Sequence, residues 1–261
     1  MYFELNDKIY YIKDFDYIWI RRFNKSEFFY KEQFNYIEEK YLKSEWDELF
    51  DSIFTLYNDK LVTPTTIKIC ITLQLIKAKE VGFQIPDTII SNSSSEITEF
   101  FENKECKIFS KALKHHSLTL ENGSLVDYYG RTFNNINEVQ RENTQAAPVI
   151  YQNQIDKNNS QEFRINVFNN CVSAFTYLNI KEDDWHFEDI TGIEMKKVDI
   201  PSEIKTKILA LFKKLKLVIG TADIIRCGDA WYFLEINIGG DWKWVENASG
   251  ENITANIREL F

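Results

Sequence analysis

A chain of 261 residues with 44% hydrophobic and 27% charged side chains can bury a substantial core, which excludes an intrinsically disordered protein. A net charge of −9 argues against a protein that grips nucleic acid through its phosphates. It does not forbid a nucleotide held by local lysines and a divalent cation. Four cysteines without a CxxC pair, three scattered histidines and no bilayer-length apolar run read as a soluble cytoplasmic protein with reduced, buried thiols, no zinc site and no membrane anchor.

In chain order, "FELNDKIYYIKDFDYIWIRRF" alternates and predicts two short strands with an Asn6-Asp7 turn. Between Lys31 and Tyr57, residues Phe34, Ile37, Tyr41, Trp46, Leu49, Phe50 and Ile53 recur at helical spacing, which predicts one or two amphipathic helices. A further helix is predicted from about Thr66 to Val81, stopping at Gly82. "FQIPDTIIS" reads as extended, and Ser93 followed by Glu96 is a capping-box pattern for a short helix. "CKIFSKAL" reads as a strand, "TLENGSLV" as a hairpin around Asn122-Gly123, and Thr132 to Arg141 as holding a short helix. "APVIYQNQI", "EFRINVF" and "CVSAFTYL" read as three strands, the last two joined at Asn169-Asn170. Pro201 opens a helix reaching Leu215, "LVIGTADIIRC" and "AWYFLEIN" form a hairpin through Gly228-Asp229, and "NITANIREL" closes the chain as a helix. This order predicts an α+β fold with mainly antiparallel sheets.

Glu235 and Asn237 sit at the end of an otherwise apolar strand, where such residues are uncommon. Strict alternation places Trp231, Phe233, Glu235 and Asn237 on one face and Tyr232, Leu234 and Ile236 on the other. Asp223, on the preceding strand, comes alongside through the short turn. Two readings are open. The three residues form an oxygen clamp for one or two Mg²⁺ ions, or Glu-x-Asn merely ends the strand before Gly239-Gly240.

"FLEINIGGDWKWVE" resembles the closing metal-binding motif of ATP-grasp ligases, in the form used by the peptide-modifying branch, the graspetide synthetases (microviridin-type and grasp-with-spasm maturases). "GTADII" resembles that family's G-x-x-D strand, and "IFSKAL" its V-x-K-P-L strand. "GFQIPDTIISNSSSEITEFF" resembles the segment entering the nucleotide-binding half, and "APVIYQNQIDKNNSQEFRINVF" the hinge strand, polar loop and E-x-R-V strand. "IWIRRF" is similar to the W-Y-R-R near the end of the family's N-terminal region. The likeness spans nearly the whole chain in the expected order. Departures are Ile71 for a helix lysine, Ile238 for a proline, and Asp184-Trp185-His186 for D-W-R.

The resemblance implies an ATP-grasp fold, two α+β subdomains holding a nucleotide between antiparallel sheets. Residues 1–82 would be an abbreviated N-terminal region, 83–150 the nucleotide-binding subdomain and 151–261 the metal-binding, catalytic subdomain. It implies Mg²⁺ ligation by Asp223, Glu235 and Asn237 and an ATP phosphate contact from Lys111. Gln152, Asn153 and Ile155 would line the adenine pocket, and Arg164 would stabilise the transferring phosphoryl group. Lys111 also fits a lysine snorkelling from a strand end, Lys157 a solvated loop lysine, Arg21 and Arg22 surface ion pairs, and His115 and His116 exposed loop positions. The function implied is an ATP-dependent ligase that activates Asp or Glu side chains of a ribosomal precursor peptide, leader plus core, as acyl phosphates and closes ester or amide rings, acting as a homodimer. Alternatives are a general carboxylate-amine ligase and a non-catalytic peptide- or nucleotide-binding relative. Trp242 and Trp244 favour the peptide branch, or belong to the core.

Overall fold

The computed structural model describes residues 1–20, 34–63, 69–103, 107–113, 117–119, 125–127, 130–140, 146–178, 192–239 and 242–258. At the start, β1 (Tyr2–Leu5) and β2 (Lys8–Tyr11) pair antiparallel. Asn6 and Asp7 both take positive φ (51° and 59°), the double left-handed turn whose twist matches a two-residue hairpin. A single helix α1 (Tyr36–Leu56) follows. The Asn35 side chain accepts from the N–H groups of Ile37 and Glu38, and Glu38 accepts back from the Asn35 N–H, a complete capping box. Helix α2 (Ile71–Glu80) begins later than predicted because Cys70 is still extended (φ −76°, ψ 163°). It stops before Gly82 at φ +89°, as its glycine stop predicted.

The next stretch carries β3 (Thr88–Ser91), α3 (Ser94–Glu102), β4 (Ile108–Lys111), β5 (Ser117–Thr119), β6 (Leu125–Asp127), β7 (Arg131–Phe133), α4 (Ile136–Gln140) and β8 (Val149–Asn153). At α3 only half the predicted capping box forms. Ser93 accepts from the Glu96 N–H, whereas the Glu96 carboxylate takes the Ser91 hydroxyl. Strands β3-β8-β4-β7 make an antiparallel sheet whose core is Ile97 and Phe101 of α3 against Ile108, Phe133 and Tyr151. All of β8 pairs in this sheet, on both sides of position 150.

The remaining elements are β9 (Ser160–Phe168), β10 (Cys171–Tyr177), β11 (Met195–Val198), α5 (Ser202–Lys214), β12 (Ile219–Cys227), β13 (Ala230–Asn237), α6 (Lys243–Ser249) and α7 (Ile253–Arg258). Strands β11-β10-β9-β12-β13 form a second antiparallel sheet. Leu75 and Ala78 of α2 and Ile204, Ile208, Leu211 and Phe212 of α5 cover one face, against Phe163, Ile165, Val167, Ala222, Ile224, Phe233 and Ile236. Phe168, Phe175 and Ile219 on the other face meet Trp242, Val245, Ile253 and Ile257 from the α6–α7 segment. Gln84 joins the two sheets. Its N–H donates to Trp231 O (3.2 Å) and its carbonyl accepts from Phe233 N (2.8 Å) at the β13 edge, just before the chain enters β3.

Strands β7 and β11 and helix α6 were not anticipated. Three or four residues are too few to show alternation, and the residue before α6, Trp242, provides no side-chain cap. The thiols also correct an expectation: Cys70 and Cys171 are exposed and Cys227 half-buried, all free, because they lie at element ends, not at core positions. Among the described residues no helix is long and apolar enough to cross a membrane.

Candidate metal and nucleotide site

Sheet register assembles the site. Arg164 on β9 pairs with Asp223 on β12, which pairs with Glu235 on β13. One step along, Asn166, Thr221 and Asn237 form a parallel row across the same strands. Five of these six side chains are polar groups that a strand interior normally lacks, and two rows of them on adjacent strands concentrate oxygen and charge on one face.

The predicted face assignment of β13 needs correction. Asp223 faces Glu235 but Ile224 faces Phe233, so Leu234 is an extra residue, a β-bulge. The bulge turns Phe233 and Ile236 onto the same helix-covered face, where both are buried in one core cluster. Glu235 and Asn237 therefore share their face with Arg164 and Asp223 and not with Phe233.

The polar face is tightly connected. Arg164 Nη1 donates to both Asp223 oxygens (3.1 and 3.2 Å), and Asn237 Nδ2 donates to Asp223 Oδ2 (3.0 Å). Thr221 Oγ1 donates to Asn166 Oδ1 (2.7 Å). From the other sheet, Lys111 at the end of β4 reaches across to Glu235, Nζ to Oε2 2.7 Å. Burial pushes the Asp223 pKa up, the Arg164 charge pulls it down, and nearby Glu235 and Glu162 raise it again, to about 6. Burial likewise pushes the Tyr177 hydroxyl well above the usual phenol range.

This donor set fits a hard cation. Asp223 and Glu235 supply adjacent carboxylates and Asn237 an amide oxygen, few enough that a cation would keep positions for water and phosphate oxygens, as Mg²⁺ does. Among the described residues no three His, Cys, Asp or Glu side chains cluster as a metal site.

The residues expected to line the adenine pocket lie on β8 and just beyond it. Gln152 is buried and its Nε2 donates to Thr88 Oγ1 (3.0 Å), so its side chain holds β3 to β8. Ile155 is buried just beyond the strand. The N–H groups of Asn153 and Gln154 donate to Asp87 and Lys107 carbonyls, leaving a base to use the groups around them. Asn153 Oδ1 is buried without a hydrogen-bond partner among the described residues, an acceptor suited to an exocyclic amine.

The structure thus brings Lys111, Arg164, Asp223, Glu235 and Asn237 together and places Gln152 and Asn153 at the end of β8 with Ile155 just beyond it. Arg21, Arg22, His115, His116, His186 and the side chain of Lys157 lie outside the described residues. Sequence reasoning gave no role to Glu162, the acid of the E-x-R motif, and missed Asn166, although Glu-x-Arg-x-Asn alternation on β9 puts both beside Arg164. It also missed Tyr177, which no local pattern marks.

Residues 69–261 match the profile of a family described as the RimK-like ATP-grasp domain. No curated protein matches the sequence. Among solved structures, the macrocyclase MdnC of Microcystis aeruginosa MRC, bound with precursor peptide MdnA, is 20% identical with a TM-score of 0.80, covering 98% of this chain and 81% of its own. A RiPP-associated ATP-grasp ligase of Chryseobacterium gregarium, in complex with ADP and a leader and core peptide, is 22% identical with a TM-score of 0.79, covering 99% and 80%. The macrocyclase MdnB, also of Microcystis aeruginosa MRC, is 19% identical with a TM-score of 0.74, covering 99% and 81%. At these identities the likeness is one of fold, and it bears out the ATP-grasp architecture expected from the motifs.

Proposed function

The chain belongs to the RimK-like ATP-grasp family, and on that premise we propose that it is an ATP-dependent ligase that activates side-chain carboxylates of a ribosomal precursor peptide and closes ester or amide rings. One observation carries the reading: the row Arg164–Asp223–Glu235 on one sheet meets Lys111 delivered from the other. That arrangement gathers two carboxylates and two cations where the sheets meet, the equipment phosphoryl transfer needs, since the reaction asks mainly for positioning and charge neutralisation. The peptide bound in the MdnC structure and the leader and core peptide bound to the Chryseobacterium ligase favour a peptide as the carboxylate donor.

In this reading Asp223, Glu235 and Asn237 would hold Mg²⁺, which supplies charge neutralisation at the β- and γ-phosphate oxygens. Lys111 exchanges its bond to Glu235 for one to the phosphate chain, where a point-charge ammonium suits a polyphosphate. Asn153 and Ile155 receive the base between the sheets. Arg164 stays anchored to Asp223 while its fork meets the phosphoryl group passing to the peptide carboxylate. A peptide hydroxyl or amine then attacks the resulting acyl phosphate and releases inorganic phosphate. Calorimetry of Mg²⁺-dependent ATP binding by wild type and Glu235→Ala tests the site. Binding that requires Mg²⁺ and collapses in the variant is expected, and a folded wild type that binds no ATP ends the proposal. A homodimer is part of the same proposal, and light scattering on the purified chain tests it.

A further inference from the structure

Trp242 and Trp244 leave the same motif for different surroundings. Trp242 is buried, stacked on Trp19 (centroids 5.2 Å apart) and edge-on to Phe168 at 6.0 Å, with Nε1 donating to Thr254. It is a core residue. Trp244 instead lies over the Arg164 guanidinium, 4.9 Å from Cζ to the ring centroid. Its neighbour is the Tyr177 ring, 6.3 Å away and inclined by only 25°, and Tyr177 is itself hydrogen-bonded to Arg164.

Arg164 is only 2% exposed. A guanidinium so deep needs its charge answered and its geometry held. Asp223 answers the charge with both of its oxygens on the same nitrogen, Nη1, so the fork's freedom to pivot about that nitrogen is limited by its other contacts, the Tyr177 hydrogen bond among them. A flat indole on the guanidinium face removes that freedom and adds attraction to the cation, and the Tyr177 ring in turn supports the indole. We propose that Trp244 and Tyr177 are positioning residues that aim the Arg164 fork at the terminal phosphoryl group of a nucleoside triphosphate. This inference rests on the ligase reading above. It explains why one short segment, Glu235 to Trp244, carries both metal-site residues and an aromatic residue: the strand end sets the oxygens and the first turn of α6 sets the arginine.

Two measurements test it. In the nucleotide-free chain, side-chain NMR of Arg164 is expected to show ring-current upfield shifts that Trp244→Leu abolishes and Trp244→Phe largely keeps. Calorimetry then compares Mg·ADP with Mg·AMPPNP. Trp244→Leu is expected to leave ADP affinity within about twofold and weaken AMPPNP about tenfold, the scale of one cation–π contact, while Trp244→Phe stays within about threefold for both. Tyr177→Leu, which removes the ring beside Trp244 and the hydrogen bond to Arg164 while keeping the α6 sequence, is expected to show a weaker version of the same split. Equal weakening of both nucleotides in the Leu variants, or no change in either, overturns the positioning role. A wild-type chain that binds neither nucleotide overturns the ligase reading itself, and the inference with it.

Discussion

Asp223 and Glu246 show how single carboxylates respond to what surrounds them. Asp223 is raised to about 6, chiefly by burial, so its proton is held more tightly folded than unfolded. Its contribution to stability is full below the ordinary value near 3.8 and is lost as pH rises through 6. A divalent cation competes with that proton. Thermal stabilisation by Mg·AMPPNP is therefore expected to grow from pH 5 to pH 7.5, and melting curves across that range measure it. Glu246 on α6 has the opposite sign. Burial pushes its pKa up, but bonds from the Lys243 ammonium and the Thr254 N–H (2.6 Å) outweigh burial and hold it at about 2. That stability is present above 4.5 and lost as pH falls through 2. Glu246→Gln is expected to cost about 1 kcal/mol at pH 7, and the gap to wild type should narrow steadily toward pH 3 in denaturant titrations.

At the scale of elements, the α5-covered face of the larger sheet leaves no room at Gly220. A Cβ there would lie 3.0 Å from Phe212 Cε1 and 3.2 Å from Ile236 Cγ2, so both side chains would have to give by a few tenths of an ångström. Gly220→Ala is expected to lose about 1–3 kcal/mol by overpacking, read from urea unfolding midpoints. Ile236 adjoins Glu235 and Asn237, so the same variant should also weaken Mg²⁺-dependent nucleotide binding. The buried Gln74 side chain reinforces this edge, donating to Ile236 O (3.3 Å) and accepting from Ile236 N (2.7 Å). Elements with strong local signals were legible in the sequence: the turn at Asn6-Asp7, the Gly82 stop of α2 and the β12–β13 hairpin. The Asn35 capping box of α1 was not read there, although Asn35 followed by Glu38 carries it. The bulge at Leu234 was not, because a period-two pattern carries no mark of where one residue is added, and packing of Phe233 and Ile236 against α2 and α5 decides it.

Across the whole molecule, the Lys111–Glu235 ion pair (2.7 Å) ties one sheet to the other through the residues proposed to meet phosphate and metal. With Lys111 on Glu235 and Arg164 on Asp223, both carboxylates already face a cation, so bare Mg²⁺ must displace one before it binds. Wild type is expected to bind free Mg²⁺ weakly, and Lys111→Met to bind it more tightly while losing at least tenfold in nucleotide affinity. Calorimetry with MgCl₂ alone, and then with AMPPNP, measures both. Equal free-metal affinity in the two proteins would show that the ion pair does not occupy the metal's place.

What the sequence alone determined is the inventory and its order: Lys111 on a strand, Arg164 in Glu-x-Arg, Asp223 and Glu-x-Asn on a hairpin, and the α+β succession of elements. These are local properties, set by residue type, short spacing and turn chemistry. What only the tertiary structure decided is which inventory residues touch. Arg164 meets Asp223 from 59 positions away and Lys111 meets Glu235 from 124, pairings set by register between distant strands and by the approach of two sheets. Trp244 became a cover for Arg164 while Trp242 became core because the first turn of α6 sends side chains two apart in different directions, and only the packed fold says what lies in each.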